Sequence, residues 1–139
     1  MLSAERAQHL YAQWFAPWIK DLRLEFVEVG DGRAVARLPA NDDITRGPED
    51  IVSGQAIMAA IDTVMVMASM SALGDEIPTT TVSQTTNFLR PLPNADAMVD
   101  VHVTKAGRTL VYGSASVYQP DSPDRVAATA TVVYAILRR

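Results

Sequence analysis

The sequence predicts an α+β domain in which a curved antiparallel sheet wraps around one long central helix, with a further helix near the N-terminus. Three observations carry that prediction. The run Ile51–Leu73 (IVSGQAIMAAIDTVMVMASMSAL) is apolar on nearly every side, so a helix made from it needs other elements around it. Four segments rich in β-branched or alternating residues follow it, separated by turn signals. Ahead of it, Leu22–Val29 and Arg33–Leu38 flank Gly30-Asp31-Gly32, the signature of a tight hairpin. Strands that must cover an apolar helix do so by curling around it.

Each element follows from its local chemistry. Ala4–Phe15 reads as an amphipathic helix, and the hairpin comes next. In the long run, Ser53 stands as N-cap, Gly54 and Gln55 open the first turn, and Gly74 lies where a C′ glycine ends a helix. Its length raises a membrane span. That reading fails because Asp62 lies mid-run, where a carboxylate costs ~2.5–3.5 kcal/mol on insertion scales, and Ser53, Gly54 and Gln55 interrupt the left end. Thr79–Arg90 is a β-branched strand stopped by Pro91. Met98–Thr104 alternates Val99, Val101 and Val103 with Met98, Asp100, His102 and Thr104, as a half-buried strand does. Lys105–Arg108 turns the chain into Leu110–Tyr118, and Gln119–Pro123 turns it again. Val126–Leu137 is apolar or small on both faces and belongs inside the sheet.

A chain of 139 residues without linker or repeat is expected to be one domain, 1–139. Its 12 Lys and Arg against 16 Asp and Glu give a net charge of −4, so no basic field exists for nucleic acid. Without cysteine there is no disulfide, cysteine-ligated metal or thiol nucleophile, and two separated histidines, His9 and His102, make no metal site. The opening MLSAERAQHLYAQW has no basic segment followed by an apolar one, so a cytoplasmic protein is expected.

The order of elements, VSGQAIMAAIDT from Val52, TVSQTTNFLRP from Thr81, AGRTL from Ala106 and VAATATVVY from Val126 together resemble the hotdog-fold thioesterases of the phenylacetyl-CoA thioesterase (PaaI-like) group, over nearly the whole chain. The resemblance implies hydrolysis of acyl-CoA thioesters with no cofactor besides the coenzyme A of the substrate. It also implies homodimers joined through a continuous sheet and paired into tetramers. In that family the helix opens His-Gly-Gly, with an Asp nine positions after the His. Here Ser53 takes the His position, Gly54 and Gln55 the two glycines, and Asp62 the acid, so Gly54 and Asp62 match while Ser53 and Gln55 depart. The resemblance gives the Thr81 hydroxyl the role of helping the acid hold water. A family Asn that adds an oxyanion donor falls on Gly47, leaving Arg46, Ser53 or Gln55 as substitutes.

Thioester hydrolysis needs a donor for the developing oxyanion and a base or nucleophile opposite it. Gly54 offers an N–H without an intrahelical acceptor at the positive end of a helix dipole, and lets an acyl group approach closely. Asp62 is an acid among Met, Ala, Val and Ile, where burial raises basicity. At ~1.5 Å per residue the two lie about 12 Å apart along the axis, too far for one carbonyl. If both act, Asp62 comes from a second copy of the helix across a two-fold axis. Ser53 reads as a cap rather than a nucleophile, having neither a nearby His nor a G-x-S-x-G context. Arg90, Lys105 and Arg108, at strand ends and turns, could meet coenzyme A phosphates. Met58, Met65, Met67 and Met70 read as core; the pocket depends on which of Met58, Ile61, Met65 and Phe88 face the seam between copies. The alternative is a non-catalytic acyl-CoA-binding hotdog protein, motivated by Ser53, Gln55 and the lost Asn. A hotdog hydratase ranks lower, because neither His9 nor His102 falls where its His belongs.

Overall fold

The computed structural model, whose described residues are 1–138, runs α1 (Ala4–Trp14), α2 (Pro17–Lys20), β1 (Glu25–Gly30), β2 (Arg33–Leu38), β3 (Thr45–Arg46), β4 (Ile51–Val52), α3 (Gly54–Leu73), β5 (Thr79–Phe88), β6 (Ala97–Ala106), β7 (Leu110–Tyr118) and β8 (Ala128–Ile136). Six strands form one antiparallel sheet in the order β1-β2-β6-β7-β8-β5, and β3 pairs with β4 beside it. The sheet curls around α3 in the hotdog arrangement. Its inward residues, among them Ala36, Val99, Val101, Val117 and Val132, meet Ala60, Ile61, Val64, Met65, Met67 and Ala68 of the helix in one apolar core.

Both ends of α3 are closed as the sequence requires. Ser53 Oγ accepts the Ala56 N–H at 3.2 Å, and Gly74, at φ 72°, donates to the Met70 carbonyl at 2.9 Å. The helix is apolar and long enough to cross a membrane, yet it is the core helix, with 61% of its most apolar window buried. The β1–β2 hairpin turns through Asp31 and Gly32 at φ 53° and 77°, the two left-handed residues of a type I′ turn. β8 lies between β7 and β5, inside the sheet as its two apolar faces demand.

Several boundaries differ from expectation. The first strand begins at Glu25 rather than Leu22, because α2 intervenes and Arg23 at φ 59° breaks the extended backbone, although Leu22 and Leu24 remain buried. α2, β3 and β4 are too short to leave a periodic signal. β6 is longer than Met98–Thr104 and bulges between Val103 and Lys105.

The larger correction concerns α3, which its own sheet does not surround. A stripe at helical spacing, Gln55, Met58, Ala59, Asp62 and Val66, stays open, and Met58 is 37% exposed instead of lying in the core. The sheet ends beside this stripe at β5, an edge strand in which no residue is buried.

Candidate functional site

The open stripe of α3 and the edge strand β5 form the site, and a bulge sets their contact. Thr81 stands opposite Tyr134 of β8, but Ser83 stands opposite Val133, so Val82 is an extra residue. Such an insertion shifts the alternation of side chains by one. Thr81 before it and Gln84 and Phe88 after it therefore all reach α3. The strand runs antiparallel to the helix: the Phe88 ring lies at Gly54, Gln84 Nε2 donates to the Met58 carbonyl at 3.2 Å, and Thr81 Oγ1 donates to Asp62 Oδ1 at 2.8 Å.

Asp62 is half-buried, and two hydroxyls meet it, the expected one of Thr81 and one that the sequence did not suggest. The second is that of Tyr134, 2.9 Å from the same Oδ1 and also in contact with the Asp62 main-chain carbonyl. The Tyr134 ring is 1% exposed. Burial, then the adjacent Asp62 charge, push its hydroxyl well above the ordinary tyrosine range, so it stays protonated and donates. Oδ2 of Asp62 accepts no hydrogen bond among the described residues and is not sealed off, since Ser69 Oγ is the buried side-chain atom left without a partner there.

At the other end of the stripe the N–H groups of Gly54 and Gln55 have no acceptor among the described residues, Ser53 Oγ being engaged by Ala56. Gly54 lines a cleft of about 450 Å³ together with Arg46, Ile57, Phe88, Arg90 and Leu92. A Cβ on Gly54 would lie 3.3 Å from the Phe88 ring, so glycine keeps this passage clear. A second cleft of about 300 Å³, walled by Arg90, Gln119, Ser122 and Arg125, shares Ile51, Arg90, Pro91 and Leu92 with the first. Arg46, Arg90 and Arg125 form no ion pair among the described residues, whereas Arg6, Arg23, Arg33 and Arg37 each face a carboxylate.

Of the residues singled out from sequence, Gly54, Ser53, Gln55, Arg46, Phe88 and Arg90 come together at the start of α3, and Asp62 with Thr81 two turns further on. Ser53 is occupied as the cap. Gln55 is exposed. Lys105 and Arg108 lie at the far end, where β6 meets the hairpin turn beside Ala72, so one chain does not bring them to Arg90. Ile61 and Met65 are fully buried, and of these four only Met58 and Phe88 are exposed. Tyr134 and Arg125 escaped sequence reading. Tyr134 is conspicuous only as the one hydroxyl among the inward residues of β8, and its partner becomes visible through the β5–β8 register. No cluster of three His, Asp or Glu side chains suited to a metal occurs among the described residues.

Comparison with known proteins agrees with this architecture. No curated protein matches the chain significantly. A conserved protein of Pseudomonas aeruginosa is similar at 25% identity and a TM-score of 0.81, over 91% of this chain and 98% of that one. Thioesterase superfamily member 2 of zebra fish reaches 0.86 at 15% identity, over 99% and 100%. A thioesterase family protein of Silicibacter pomeroyi reaches 0.85 at 23%, over 98% of each. These likenesses establish the fold. The family model described as "Thioesterase superfamily" matches residues 50–126, more than half of the chain and the part that holds α3, β5, β6 and β7. The chain therefore belongs to the thioesterase superfamily.

Proposed function

We propose that this protein is an acyl-CoA thioesterase working as a two-fold dimer, with the Gly54 N–H as oxyanion donor and the partner subunit's Asp62 as base or nucleophile. One observation carries the reading: Gly54 and Asp62 mark two ends of an open stripe that runs beside an uncovered edge strand. β5 holds ten residues, TTTVSQTTNF, with neither a charge nor a proline to guard its edge. A second copy pairing there antiparallel, about an axis near Gln84 and Thr85, sets Phe88 opposite the partner's Thr81. Because Phe88 lies at Gly54 and Thr81 at Asp62, that register brings Gly54 next to the partner's Asp62. The gap of about 12 Å along one helix is then bridged between two.

Chemistry follows from that juxtaposition. The thioester oxygen accepts from Gly54 N–H, with the Gln55 N–H beside it, at the positive end of α3. Water gives its proton to the carboxylate as it attacks the carbonyl carbon, the tetrahedral adduct expels the coenzyme A thiolate, and the thiolate takes up a proton. Arg46, Arg90 and Arg125, free of carboxylate partners among the described residues, suit the phosphates of coenzyme A along the paired clefts. Ser53 and the lost Asn favour a second reading, a binding module without turnover, since the Ser53 hydroxyl is spent on the cap.

The test is thiol release from short, long and aromatic acyl-CoAs and from an acyl-pantetheine lacking the nucleotide, for the wild type and Asp62→Asn. Turnover that falls about 10²-fold or more in the variant supports the thioesterase, and weaker use of the pantetheine ester supports the arginine assignment. Turnover indifferent to Asp62→Asn removes the site assignment. Binding of coenzyme A esters without hydrolysis selects the binding module.

A further inference from the structure

We propose that Tyr134 is a positioning residue for thioester hydrolysis: its buried hydroxyl, together with that of Thr81, fixes Oδ1 of Asp62 and leaves Oδ2 as the oxygen that meets the reacting water or acyl carbon. This inference rests on the role of Asp62 proposed above.

Three features of the geometry converge on it. Tyr134 and Thr81 are a cross-strand pair of β8 and β5, so their two hydroxyls arrive at one place from opposed backbone positions. Both lie within hydrogen-bond distance of the same carboxylate oxygen, 2.9 and 2.8 Å, while Oδ2 stays open. The bulge follows directly at Val82, so the pair keeps its inward aim while the rest of β5 changes phase to bring Gln84 and Phe88 onto α3. A phenol ring at 1% exposure has no freedom to turn away, and its one proton has both acceptors on Asp62, Oδ1 and the main-chain carbonyl. A carboxylate held through one oxygen loses the rotamers in which either oxygen could face the seam, which is pre-organisation of a reacting group by its supporting shell.

A ring that merely fills the core predicts a different outcome, and Tyr134→Phe separates the two because it keeps the ring and removes the hydroxyl. The measurement is kcat and KM for thiol release across pH, with Asp62→Asn and Thr81→Val assayed alongside and each fold checked by circular dichroism and melting. We expect kcat to fall by about 10- to 100-fold with KM within about threefold. Thr81→Val, at an exposed edge position, should lower kcat in the same way, and Thr81→Ser should restore it. Wild-type kcat and KM in folded Tyr134→Phe, with Asp62→Asn inactive, overturns the positioning role and leaves the role of Asp62 standing. Activity retained by Asp62→Asn instead removes the reading beneath it. Should Tyr134→Phe fail to fold, 3-fluorotyrosine at position 134 decides: it keeps the ring and alters the donor strength, so kcat departs from the wild type while KM holds, and an unchanged kcat refutes the proposal.

Discussion

Replacing Gly54 with alanine should separate stability from activity. The new Cβ would lie 3.3 Å from Phe88 Cζ and 3.5 Å from Cε1, a few tenths of an ångström too close. The ring is 51% exposed and ends an edge strand, so it can yield. Opposing this small strain, alanine is better than glycine by up to ~0.5–1 kcal/mol within a helix, and by less in the first turn. The net change in stability is then within about 0.5 kcal/mol. For a chain of 139 residues at ~2.1 cal/mol/K per residue, the unfolding entropy is roughly 0.3 kcal/mol/K, so the melting temperature moves by less than about 2 °C. Activity should behave otherwise, because the methyl enters the cleft beside the N–H that donates to the carbonyl oxygen in the proposed reaction. Displacing an oxyanion from one donor costs about 2.7 kcal/mol, or roughly 10²-fold in rate. Thermal melting and thiol release on the same preparation measure both quantities. Activity within about threefold of the wild type at an unchanged melting temperature refutes the reasoning, since it means no acyl group approaches Gly54. A melting temperature lowered by more than about 5 °C refutes the packing half, since it means Phe88 cannot yield.

Two other perturbations probe the scaffold. Val82→Lys places a charge at the bulge of the exposed edge strand, and we expect sedimentation to show a monomer, with activity lost and circular dichroism retained; an active dimer would place the seam elsewhere. Gly113→Ala sets a Cβ about 2.5 Å from Sδ of the fully buried Met65, so unfolding should become easier by about 1–3 kcal/mol, and Met65→Ala in the same chain should recover part of that loss as favourable coupling in a double-mutant cycle.

Local chemistry sufficed for a good part of this molecule. The cap at Ser53, the left-handed stop at Gly74, the Asp31-Gly32 turn and the interior place of β8 follow from residues within a turn or a strand of one another. The separation of Gly54 and Asp62 along one helix was likewise legible, because rise per residue is a property of any α-helix. Other features depend on partners far apart in the chain. The extra residue Val82 is invisible in a β-branched run, since a bulge is defined by the strand across from it, and with it went the phase of Gln84 and Phe88 and the pairing of Thr81 with Tyr134. Arg90 and Arg125 stand 35 positions apart and are joined at one cleft by the β5–β6 and β7–β8 loops, while Lys105 and Arg108 are carried to the opposite end. An apolar helix also reads the same whether its own sheet or a neighbour covers it; how far the sheet curls is set by strand twist and register summed over six strands, and here it stops at β5, leaving Asp62 open.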